Sequence, residues 1–159
     1  MNREIEFRGK IKRPHGIFVS CTDKKDDEWV WGDLELRRND GRVLIHLYDK
    51  DGCYYRQYDI DPDTVGQFTG IKDKHGKKIY EGDIVRRKDS AFGYVDTGVV
   101  KYDCHLGAFV LEYKSYGRTY QSTFKKGFSD NDGKCTIEGT YSYEVIGNVY
   151  DNPHLQEVP

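Results

Sequence analysis

Turn-forming residues recur along this chain at spacings of about 8–12 positions, and the runs between them alternate apolar and polar side chains. Such a chain folds as many short strands joined by tight turns, because period two places one face of each strand inward. The clearest examples stand in the first third. Trp29–Arg37 reads as a strand, with Val30, Leu34 and Leu36 among its apolar positions, and Asn39-Asp40-Gly41 as a hairpin turn. Arg42–Tyr48 follows with Val43, Ile45 and Leu47 on one face, then the turn Asp49–Gly52 and the strand Cys53–Ile60. Upstream, Arg3–Lys12 places Ile5, Phe7, Gly9 and Ile11 on one face, a strand pattern with a glycine gap. Pro14, His15 and Gly16 break it, and Ile17–Cys21 is a further short strand candidate.

Composition agrees with strands. The 159 residues include 13 Tyr, 7 Phe, 2 Trp and 17 Gly, but one Met and only two alanines, Ala91 and Ala108. Tyr, Phe, Val, Ile and Thr favour strands, whereas the helix formers Ala and Met are scarce.

The segment after Ile60 breaks the pattern. Asp61-Pro62 has the form of a helix start, Asp as cap and Pro at the first position. It predicts a turn or two of helix over Thr64–Phe68, ended by Gly70, and then an exposed charged turn over Lys72–Lys78. A second β unit begins near Ile79. Its expected strands are Asp83–Arg87, Gly98–Tyr102, Ala108–Lys114, Arg118–Phe124, Cys135–Glu138 and Tyr143–Val149. Gly147, set in an apolar strand, signals a bulge or a close backbone approach. The expected organisation is an N-terminal β-meander unit over 1–60, a short helix and turn over 61–78, and a small C-terminal barrel or sandwich over 79–159.

Formal net charge is −2, so the chain lacks the overall basic excess of a general nucleic-acid binder, although a local patch is compatible with it. No apolar run approaches a membrane span, and Met1–Gly9 has no signal-peptide h-region. Cys21, Cys53, Cys104 and Cys135 stand far apart and read as free thiols of a reducing cytoplasm. Cys104-His105 is the sole adjacent pair of metal-ligand types, without the close paired spacing of a zinc site. Asp59, Asp61 and Asp63 depart from a calcium loop and read as turn and cap chemistry. No phosphate-binding glycine loop and no nucleophile elbow occurs. No catalytic residue, metal site or cofactor is assigned.

One pattern suggests recognition. Tyr54, Tyr55, Arg56 and Tyr58 interleave on one strand, and Lys114, Tyr116, Arg118 and Tyr120 do so later. Exposed aromatics beside Arg or Lys can stack bases and track phosphates. Half-buried strand filler is the reading the acidic net charge favours, and a self-association surface is a third.

The run from Val65 to Val85 contains Gly70-Ile71-Lys72-Asp73-Lys74-His75-Gly76 and Ile79-Tyr80-Glu81-Gly82-Asp83-Ile84-Val85. It strongly resembles the signature of the YopX-like proteins of phages and prophages. Arg3–Gly9, Gly98–Tyr102 and Tyr143–Pro153 are similar to further blocks of that family, in order. The resemblance implies a phage-derived protein of a bacterial cytoplasm, with an SH3-like C-terminal barrel and self-association into a homo-oligomer. It implies no catalytic residues. The functional expectation is a non-enzymatic homo-oligomeric interaction module, with a nucleic-acid-binding module as the alternative.

Overall fold

A computed structural model describes residues 4–12, 28–89, 92–124 and 141–157. The chain is mainly β and divides into two compact units, Met1–Gly70 and Ile71–Pro159. The strand candidates at 17–21 and 135–138 lie outside the described residues.

The first unit is built from β1 (Phe7–Lys10), β2 (Trp29–Leu36), β3 (Val43–Tyr48), β4 (Tyr54–Asp59) and most of β5 (Gly66–Lys72). Its antiparallel sheet runs β4-β3-β2-β1-β5. The core comprises Ile11, Val30, Ile45, Tyr58 and Ile60, with Leu34, Val43, Leu47 and Val65 packed on it. Gly9 is the gap in the β1 pattern because Ile60 fills it. A Cβ at Gly9 would come 2.2 Å from Ile60 Cγ2. Ile5 is not part of that inward face, being exposed beyond the start of β1.

The helix expected after Ile60 is a single 3₁₀ turn, Pro62–Thr64. Its start signal operates as read: the Asp61 side chain accepts the Asp63 N–H, with Pro62 next. It stops because Thr64 is drawn inward. The Thr64 hydroxyl accepts the Lys10 N–H at 2.8 Å and donates to the Asp61 carbonyl at 2.8 Å. Val65 then turns extended, and Phe68, expected in the helix, is a buried residue of β5.

The second unit contains β6 (Lys78–Tyr80), β7 (Asp83–Asp89), β8 (Val95–Asp103), β9 (Ala108–Ser115), β10 (Arg118–Thr123), β11 (Tyr141–Asn148) and a final 3₁₀ turn, Pro153–Glu157. Its antiparallel sheet runs β10-β9-β8-β7-β11. Neither sheet closes on itself among the described residues. Ile79, Val85, Val100, Leu111 and Tyr143 form the core.

Two carboxylates organise the entry to this unit: the charged turn is exposed at residues 74–77 as expected, but Asp73 beside it is buried, and so is Asp83. Asp73 is 8% exposed, and its Oδ1 accepts the N–H groups of His75 at 2.8 Å and Lys77 at 2.9 Å. Asp83 is fully buried and accepts the Tyr80 N–H at 2.8 Å, fixing the corner between β6 and β7. At the other end of the chain, the β11–β7 register shifts between Val145 and Gly147. This is the bulge expected there, and a close approach accompanies it: a Cβ on Gly147 would lie 2.6 Å from Asn152 Oδ1.

Candidate ligand-binding groove

Antiparallel order brings the end of β7, the start of β8, the end of β9 and the starts of β10 and β11 to one end of the second sheet. The turn between β9 and β10 sets the geometry there. Tyr116 and Gly117 are its two central residues, with φ of 49° and 72°. Two positive φ values are what a two-residue hairpin of strand-matching twist demands. Asn or Gly normally meets that demand, because a Cβ in the left-handed region crowds the following carbonyl. Tyr116 occupies the position all the same, and its ring is 99% exposed.

The turn fixes the register behind it. Ser115 faces Arg118, Lys114 faces Thr119 and Tyr113 faces Tyr120. Tyr113 and Tyr120 stack with ring centroids 5.8 Å apart at 22°. The Arg87 guanidinium lies 4.5 Å from the Tyr113 ring centroid and 5.0 Å from that of Tyr141. Tyr120, Tyr113, Arg87 and Tyr141 thus form a continuous run of flat groups. Arg87 is itself only 8% exposed. It donates to Asp96 Oδ2 at 2.5 Å and to Ser122 Oγ at 2.7 Å. Burial works against its charge, but hydrogen bonds to Asp96 and Tyr113 outweigh burial and raise its pKa.

An open hollow of about 1290 Å³ spans this end of the sheet. Tyr94 lines it from the β7–β8 connection, Val95 from the start of β8, Tyr113, Tyr116 and Tyr120 from the β9–β10 hairpin, and Tyr141 from β11. Tyr94 is 69% exposed and Tyr120 40%. Arg86 and Lys114 add positive charge to the lining, and Arg118 flanks the turn.

The interleaved residues singled out in the sequence fall in different units. Lys114, Tyr116, Arg118 and Tyr120 come together around the hairpin and are exposed. Tyr54, Tyr55, Arg56 and Tyr58 belong to β4 of the first unit. Tyr58 is 4% exposed and packs in the core, where its hydroxyl accepts from Arg56 Nη1 at 3.3 Å. Tyr94, Tyr113, Tyr141, Arg86 and Arg87 were not legible as site residues. Tyr113 could have been found by counting back from the two-residue turn, which forces it opposite Tyr120.

Among the described residues no group of three or more His, Cys, Asp or Glu could hold a metal ion. Cys53 and Cys104 are free and exposed. Among the described residues no helix is long and apolar enough to cross a membrane.

No curated protein matches the chain. The family model of the YopX protein matches residues 21–157, so the chain belongs to the YopX protein family.

Proposed function

We propose that this chain is a non-enzymatic binding module whose working surface is the tyrosine groove of the second unit. The observation that carries the reading is Tyr116. A fully exposed aromatic ring at a left-handed turn position costs stability and gains no packing in return. Contact with a ligand supplies the missing compensation. The groove is open and its five tyrosines outnumber its two carboxylates, Asp89 and Asp96, which suits an extended polymer strand better than a reacting small molecule. The family resemblance extends the proposal to a phage-derived protein acting in the bacterial cytoplasm, with the second unit as an SH3-like barrel.

The test is a panel of single-stranded oligonucleotides and a proline-rich peptide titrated into the labelled protein, read by backbone amide NMR shifts. Shifts gathered at residues 94–97, 113–120 and 141 support the reading. Shifts elsewhere, or none with any probe, overturn it.

A second reading, self-association, is favoured by the first unit. Trp31 and Tyr48 are 47% and 49% exposed and line one hollow together with Leu47. Tyr and Trp are enriched where protein surfaces meet. Light scattering that shows a strict monomer at micromolar concentration overturns this part.

A further inference from the structure

Resting on the groove reading above, we propose that the groove's occupant is single-stranded nucleic acid. Its bases stack on Tyr116 and Tyr120, and its phosphates meet Arg86, Lys114 and Arg118.

Tyr120, Tyr113, Arg87 and Tyr141 already stack on one another, and Tyr120 closes the run with a ring that is 40% exposed. A nucleobase extends such a run at its open end. Tyr116 offers a second, fully exposed ring one turn away. Stacking requires unpaired base faces, which selects single strands over duplex.

Charge decides between a nucleic acid and an uncharged peptide. The formal charge of −2 belongs to the whole chain and misdescribes this end of the sheet. Asp73 and Asp83 are buried and bound to backbone N–H groups. Asp96 is neutralised by Arg87, Glu112 by Lys101 at 2.5 Å, and Glu144 by Lys74 at 2.9 Å. Asp89, the remaining acid of the lining, accepts the Phe92 N–H in its own connection. The cations are less engaged. Arg86 lies 3.8 Å from a Glu144 that already holds Lys74. Lys114 and Arg118 enter no salt bridge among the described residues, although the Lys114 charge helps lower the Glu112 pKa. The lining still carries a positive balance, Arg86, Arg87 and Lys114 against Asp89 and Asp96, and Arg118 beside the turn adds to it, so the groove is complementary to phosphate. A proline-rich strand would use the rings but leave three cations without a role.

The test measures fluorescence anisotropy with labelled oligothymidylate, oligouridylate, the matching duplex and a proline-rich peptide, across roughly 50–200 mM salt. Three phosphate contacts predict a slope of log K against log salt of about −2 for a single strand. Tyr116→Ala should weaken binding on the order of tenfold. Lys114→Ala with Arg118→Ala should flatten the slope by about 1.4. All three side chains are exposed, so these variants keep the fold. Oligonucleotides that fail to bind at the lowest salt, that prefer the duplex, or that ignore Tyr116→Ala overturn the proposal. If the peptide instead shifts the groove amides, nucleic acid falls while the groove reading stands. If no probe shifts them, both fall.

Discussion

Asp73 Oδ2 accepts the backbone N–H of Val145 at 3.2 Å, joining the turn before β6 to a strand 72 positions further along the chain. With the two N–H groups held by Oδ1, one carboxylate secures three backbone donors. Asp73→Ala should cost about 2–4 kcal/mol in denaturant unfolding, because those donors lose a charged acceptor. Burial pushes the Asp73 pKa up, but the N–H groups of Val145, Lys77 and His75 and the nearby His75 charge prevail, and the folded value is lowered. A lowered folded pKa means the contribution is complete above the unfolded value and fades as pH falls through the folded one. The wild type should therefore lose stability on acidification more steeply than Asp73→Asn.

Arg87→Met should destabilise the second unit by about 2–4 kcal/mol. It removes the guanidinium between two rings and leaves Asp96 without its cation. In the Asp96→Asn background the same substitution should cost less, and a double-mutant cycle in chemical denaturation reads the difference.

Tyr58 and Tyr116 should respond in opposite directions. Tyr58→Ala empties a core position and should cost about 3–5 kcal/mol. Tyr116→Asn should stabilise by about 0.5–1 kcal/mol, since Asn tolerates the left-handed conformation better and no packing is lost. Melting temperatures of the two variants check both signs.

Gly147→Ala should cost about 1–3 kcal/mol, because the new methyl must displace Asn152 Oδ1 from 2.6 Å. The same change in an Asn152→Ala background should cost less, as the nearest obstructing atom is gone and only the Cβ at 3.0 Å remains.

Much of the fold was legible because turn chemistry is local. The turns at 39–41 and 49–52 join β2, β3 and β4 as their Asn, Asp and Gly residues implied, and Gly147 marked its bulge. The segment after Ile60 misled because a cap signal reports where a helical turn begins, not how long it continues. Thr64, drawn to Lys10 from a distant strand, ended it at one turn. Tyr58 misled for a related reason. Period two shows that alternate residues share a face, but not which face is inside; pairing with the buried Ile45 decided that. Of the groove, the hairpin residues were readable, whereas Tyr94, Arg86 and Tyr141 arrive through strand order, which local sequence does not carry.

The order of the second sheet also bears on how the unit assembles in time. Strands β7 to β10 lie side by side in chain order, so each can zip onto its predecessor through a short connection. β11 must return across the whole unit to reach β7. Its docking closes the longest loop and belongs after the folding nucleus. Substitutions along β11 should therefore hasten unfolding while leaving the refolding rate nearly unchanged.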